Sequence, residues 1–250
     1  MQYTGSIDNR GILEIIRRSC SYVDARLMNH GYRVAYIVSE MLKPYFHEDA
    51  RKIRDVCFLA LLHDIGAYKT DEISKMLQFD TDDVLAHSVY GYLFIKYFSP
   101  LKKLSGAILL HHATWQVLEH SEVFPKGIRL LAQVIHVADR IDVAMEVQHL
   151  TWEETAVLLK KESGTKFSPF IADLALACDF HTPFEGDTDA ESLFFQLFSE
   201  ISLTQDEITD YLKMLIFTID FRSRHTVTHT ITTTTISAEL AKRMGMNEEE

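Results

Sequence analysis

The sequence is short of the residues that interrupt or staple a chain. Ten glycines and five prolines in 250 residues exclude collagen-like and low-complexity architectures. The three cysteines, Cys20, Cys57 and Cys178, lie far apart with no Cys-x-x-Cys pair. No disulfide framework is available to them, and a reduced, cytoplasmic setting is the expectation. No apolar run approaches the ~20 residues that a membrane-spanning helix needs. The longest candidate, residues 56–62, runs straight into His63 and Asp64. The first ten residues lack the basic-then-apolar layout of a secretion signal. Positive charge is scarce as well, at 25 basic against 36 acidic side chains. Without a basic stripe there is nothing to displace counterions from a phosphate backbone, so neither DNA nor RNA is expected as a partner, and neither is a membrane.

What is present is a hydrophobic fraction of 47%, enough for a sizeable core. Charge is unevenly spread. Residues 1–150 carry 17 basic and 18 acidic side chains, and residues 151–250 carry 8 and 18, so the chain divides into a near-neutral part and an acidic part. Histidine is skewed the other way, with eight of the twelve in the first 136 residues. Because imidazole is the commonest metal ligand and a frequent acid–base group, that skew points to chemistry in the near-neutral part.

Periodicity of 3.6 residues dominates, and the expected fold class is all-α, a helical bundle with additional C-terminal helices. Helices are expected over residues 12–28, 31–42 (stopped by Pro44), 49–64, 82–98, 100–110 and 128–147. Thr151 followed by Glu154 is a capping-box pattern for a helix to about 161, and Ser168–Pro169 reads as a cap and first-turn proline. Residues 179–189 look like a loop, and helices are expected to resume near 191 and over 205–220. The threonine-rich stretch 226–237 has strand propensity. A lone strand would have no partner in such a chain, so a helix is expected there too.

Several of these helices carry a polar residue on an apolar face. His63 follows Val56 and Leu59, and Asp64 closes the same helix. His30 shares a face with Val34, Ile37 and Met41; His87 shares one with Gly91, Phe94 and Ile95. His111 and His112 end the run of residues 108–110, and Asp139 shares a face with Ile135, Asp142 and Val143. Singly, each is also what a core histidine bonded to a carbonyl, or a carboxylate at a helix end, would look like. A buried carboxylate costs several kcal/mol unless a cation or donors compensate it. Inward-facing donors from several helices are how helical bundles build metal sites. Seven mixed N and O donors are too many for one zinc and suit two ions sharing a bridging carboxylate.

The order of these residues resembles the HD-domain metal-dependent phosphohydrolases, and within them the HD-GYP branch. The matching segments are HGYRVA with His30, LLHDIG with His63 and Asp64, AHSVYGY with His87, LLHHATW with His111 and His112, and VIHVADRID with Asp139. SGTKFSPF (residues 163–170) is similar to a segment downstream of the family's catalytic helices. The likeness spans about residues 20–178. It implies that these seven positions hold two divalent ions, iron, manganese or similar, that Asp64 bridges them, and that a cyclic dinucleotide such as cyclic di-GMP is hydrolysed. His30, His63 and Asp139 would hold one ion; His87, His111 and His112 the other. The departures are specific. Ala67 stands where the family has a lysine, Arg26 stands where a third-metal glutamate is common, and Pro125 is the sole remnant of the GYP signature. Lys69 is the expected substitute for the missing lysine, beside Asp64 in the catalytic set. Trp115, Arg129 and Lys69 are the candidate substrate contacts, with Tyr68, Lys102 and Lys103 as weaker ones.

Residues 207–250 are similar to the opening helices of another HD-GYP domain, with His229 matching His30. The expected organisation is a metal-binding domain over 1–178, a connecting segment over 179–204, and the start of a second domain over 205–250. The chain would then be a fragment of a tandem protein, with a second HD domain or a homodimer partner. The alternatives are a catalytically degenerate HD domain acting as a metal-stabilised sensor or docking module, and a mononucleotide or alarmone phosphohydrolase.

Overall fold

Ten α-helices are assigned over the residues that the structure, a computed structural model, describes: 25–45, 49–67, 85–180, 203–222 and 226–246. In chain order they are α1 (Ala25–Leu42), α2 (Ala50–Leu61), α3 (Leu85–Phe98), α4 (Ser105–Leu110) and α5 (Trp115–Leu118). They continue with α6 (Lys126–Asp142), α7 (Trp152–Glu162), α8 (Pro169–Leu176), α9 (Gln205–Arg222) and α10 (Thr226–Arg243). No strand is assigned among the described residues, so the fold is all-α as expected, and 226–237 is helical. No described helix is long and apolar enough to cross a membrane. Residues 12–24 of the helix expected over 12–28, the cap at Asp82 or Asp83 and the helix near 191 lie outside the described residues, and the break expected between 28 and 31 is absent, since α1 runs unbroken from Ala25 to Leu42.

Helix α6 is the axis of the bundle. From Ala132 to Ala144 every residue except Arg140 is buried, because α1, α4 and α8 pack around it. Helix α1 also lies on α2, and α3 on α4. The sequence expectation needs correcting at several ends: α2 stops at Leu61 instead of running to Asp64, and residues 62–66 form a turn. Residues 100–110 are not one helix: Pro100 cannot donate a backbone bond, the Ser99 hydroxyl bonds Ile95 O and takes the Leu101 N–H, and a 3₁₀ turn at Lys102–Leu104 precedes α4. Helix α6 begins at Lys126, and its continuation Val143–Val147 is a π-turn, in which the Gln148 N–H reaches Val143 O at 3.1 Å.

Local chemistry fixes the connections. Thr151 and Glu154 cap each other's backbone N–H groups at the start of α7, which contributes about 1 kcal/mol. Ser168 occupies the N-cap position of α8 without a side-chain cap bond; its own N–H is taken by the Gln133 amide oxygen at 2.8 Å. Gly164 has a φ of 82°, left-handed backbone that turns the SGTKF segment back so that its N–H meets Phe167 O. The N–H groups of Trp115 and Gln116 bond Lys166 O and Thr165 O and pin that turn to α5. Helix α9 packs on α3 and joins the same core through Ile208, Tyr211 and Met214.

Candidate metal centre

His63 and Asp64 lie in the turn that ends α2, just past its capping residue Leu62. That turn meets α3 at van der Waals limit. A Cβ on Gly66 would fall 2.0 Å from His87 O and 2.4 Å from Gly91 N, so only glycine brings the His63–Asp64 pair against the helix that carries His87. His111 and His112 follow the last residue of α4, His30 lies in α1, and Asp139 lies in the last turn of α6. All are buried except His112, which is partly open.

Three imidazoles are aimed by their Nδ1 atoms. His63 Nδ1 bonds Ala60 O at 2.7 Å and His111 Nδ1 bonds Ile108 O at 2.6 Å, each one turn back on its own helix. His30 Nδ1 donates to Asp142 Oδ2 at 2.6 Å, and Asp142 is held in turn by Arg33 at 2.5 and 3.0 Å. A donor at Nδ1 leaves the Nε2 lone pair facing the interior, as metal-binding histidines require.

Asp64 stands between two groups of these nitrogens. Its Oδ2 is 3.2 Å from His63 Nε2 and 3.8 Å from His30 Nε2; its Oδ1 is 3.5 Å from both His87 Nε2 and His111 Nε2. His87 Nε2 and His112 Nε2 are 2.9 Å apart, and His30 Nε2 and His63 Nε2 are 3.3 Å apart. Two donor sets result, His30–His63–Asp64 and Asp64–His87–His111–His112, and Asp64 belongs to both. Asp139 lies beside the first, with Oδ1 at 3.3 Å from His30 Nε2 and Oδ2 bound by Arg140.

This geometry fits a metal. Bonds of roughly 2.0–2.1 Å place neighbouring tetrahedral donors about 3.3 Å apart, the spacing found here. Asp64 Oδ1 and His111 Nε2 are buried with no hydrogen-bond partner, an arrangement too costly to leave uncompensated. Asp139 has Arg140 and Asp142 has Arg33, but Asp64 has no arginine on it among the described residues. The protonation pattern follows the same division. Burial pulls the His30 imidazole down, but Asp139 and Asp142 outweigh it and push it up to about 10. Burial likewise opposes a charged Asp64, yet His63 and His111 hold its carboxyl well below the usual range. On the other side burial prevails and lowers His87 to about 4.

The structure thus brings together His30, His63, Asp64, His87, His111, His112 and Asp139. It gives the other candidates different surroundings. Trp115 packs in the core. The Arg129 guanidinium is spent on Leu118 O and Glu119 O at the end of α5. Lys102 and Lys103 are exposed in the 3₁₀ turn. Tyr68 and Lys69 lie outside the described residues. Sequence reading missed Asp142 and Arg33 as the groups that orient His30; the signal available was Asp142 one turn beyond Asp139 on the same buried face.

A helical bundle whose buried imidazoles flank one shared carboxylate defines a metal-binding helical domain. Residues 27–144 match the HD domain family, and this part of the chain is an HD domain, a family that binds divalent metals. The chain is 25% identical, over 94% of its length, to 3'3'-cGAMP-specific phosphodiesterase 1 of Vibrio cholerae serotype O1, and spans 58% of that relative. It superposes on a crystal structure of a cyclic GMP-AMP-specific phosphodiesterase of V. cholerae (V-cGAP3) with a TM-score of 0.59 at 14% identity. That match covers 95% of this chain and 67% of the other, and it shows the fold.

Proposed function

We propose that this chain is a metal-dependent phosphodiesterase acting on a cyclic dinucleotide, with two divalent ions bridged by Asp64. The observation that carries the reading is the division of Asp64: one oxygen faces His30 and His63, the other faces His87 and His111. His30, His63 and Asp64, with Asp139 beside them, would hold one ion; Asp64, His87, His111 and His112 would hold the other. Bound there, the ions supply Lewis acidity to a phosphoryl oxygen and an acidified water at neutral pH. The chain's own part is orientation. Ala60 O, Ile108 O and Asp142 fix three Nε2 atoms, and Arg140 neutralises the outer oxygen of Asp139.

The choice of a cyclic dinucleotide is supported by the relative specific for 3'3'-cGAMP, and cyclic GMP-AMP is therefore placed ahead of cyclic di-GMP. The test is metal analysis of protein purified without chelator, followed by turnover of cyclic GMP-AMP, cyclic di-GMP and a generic bis-ester. Two ions per chain and turnover of a cyclic dinucleotide are expected. Asp64→Ala and His63→Ala should each lose bound metal and turnover together. Activity that survives either substitution overturns the reading.

A further inference from the structure

A cavity of about 440 Å³ opens between the end of α6, the π-turn and α7. Its walls include Arg140, Leu150, Leu158, Glu162, Lys166 and Phe167. The volume is within the range of small-molecule sites, and the lining has their usual character, apolar surface with a few polar groups.

One observation ties the cavity to the centre, and two more describe the cavity itself. The first is Asp139, whose Oδ1 is 3.3 Å from His30 Nε2 while its Oδ2 accepts from Arg140 at 2.7 and 3.1 Å. One carboxylate therefore separates the cavity's arginine from the metal donors. The second is backbone geometry. The wall carries the π-turn Val143–Val147, and His149, between the lining residues Gln148 and Leu150, has a φ of 55°. Both are sparsely populated conformations of the kind that cluster at functional sites. Lys166 is pinned by the Trp115 N–H to its carbonyl, so the opposite wall is fixed as well.

The third observation is the chemistry of the lining. Arg140 and Lys166 suit a phosphate, and Leu150, Leu158 and Phe167 suit a flat apolar ring. Glu162 offers only acceptors, and among the described residues its carboxylate takes a single long contact, 3.5 Å from the Thr165 hydroxyl. Guanine presents N1–H and its 2-amino group side by side, a donor pair that a carboxylate takes with both oxygens; adenine and cytosine have no such pair.

We propose that this cavity is a guanine subsite of the metal centre: the ring lies against Leu150, Leu158 and Phe167, its N–H edge meets Glu162, and its phosphate faces Lys166 and Arg140. The proposal rests on the phosphodiesterase reading above, and it assigns the guanine half of the substrate to a defined place.

Glu162→Gln removes the second acceptor with little change of shape, and Leu158→Trp fills the cavity from a partly exposed helical position. Titration calorimetry of the metal-loaded full chain with GMP and AMP should show a preference for GMP in the wild type. Glu162→Gln should reduce GMP affinity roughly tenfold to hundredfold and abolish the preference, the effect of losing a charge-assisted hydrogen bond. In turnover, both variants should lower the kcat/KM ratio of cyclic GMP-AMP to bis(p-nitrophenyl) phosphate by tenfold or more, through KM. If the wild type hydrolyses both esters and neither variant changes GMP binding or that ratio, the subsite is refuted. If the wild type hydrolyses neither ester while Glu162→Gln still weakens GMP, the hydrolase reading fails and the guanine site stands.

Discussion

His30 illustrates how one side chain is specified from two directions. Its Nε2 is directed inward only because Asp142 accepts from Nδ1, and Asp142 is placed by Arg33 on the same helix as His30. Asp142 touches no other donor of the centre, so its effect passes through the orientation and basicity of one imidazole. Such supporting groups usually account for about 10–100-fold in metal affinity. Asp142→Asn should therefore weaken metal binding by roughly tenfold to hundredfold, read by competition with a chromogenic chelator. The helical circular dichroism should be retained, since the amide oxygen still accepts a bond. A variant that holds metal as tightly as wild type would show that His30 needs no such support. The seven side chains that cluster here stood out in the sequence because each interrupts an apolar face with a residue that does not belong in a core. Asp142 and Arg33 were not, because an ion pair across 109 positions leaves no mark in local spacing.

At the scale of elements, the decisive contact is between the turn after α2 and α3. The helices themselves were readable from periodicity, and the capping box of α7 from Thr151 and Glu154. The approach of the two elements was not, since Gly66 in a sequence reads only as a residue that allows a turn. In the structure it is a contact without space for one carbon, against backbone atoms of His87 and Gly91 that cannot rotate aside. Gly66→Ala should push α3 away from the His63–Asp64 turn and separate His87 from Asp64. Overpacking commonly costs about 1–3 kcal/mol, and a clash with backbone belongs at the upper end or beyond. The urea midpoint should fall accordingly, and bound metal should fall with it. A midpoint equal to that of wild type would mean that the turn and α3 are not in contact as described. The same blindness explains Trp115 and Arg129: an aromatic and a cation near a histidine pair suggest ligand contacts, and only packing reveals that one fills the core and the other caps α5.

Over the whole molecule, the acidic C-terminal part is joined to the HD domain by a buried cation. The Arg54 side chain is 2% exposed and bonds both Asp55, its neighbour, and Glu207 at the start of α9, at 2.6 and 2.8 Å. Tyr211, one turn further along α9, packs on Phe58 with ring centroids 5.4 Å apart. Glu207 also closes a reciprocal cap with Thr204, so one carboxylate both starts α9 and anchors it to α2. Burial works against its charge, but the Thr204 N–H and the Arg54 guanidinium prevail and hold Glu207 below the ordinary 4.5. A carboxylate lowered in the folded state stabilises the fold above its unfolded value, and that stabilisation is lost as the pH falls through the folded value. Asp55 acts in the opposite sense, because burial pushes it up despite Arg54. Comparison of wild type with Glu207→Gln reads the first effect, together with the relief that loss of the Glu207 charge gives to Asp55. At pH 7 the variant should be less stable to urea than wild type, and the gap should narrow as the pH is taken from about 5 towards 3. A gap that stays constant over that range would mean that Glu207 contributes through shape and capping alone, and that the ion pair with Arg54 does not hold α9 to the HD domain.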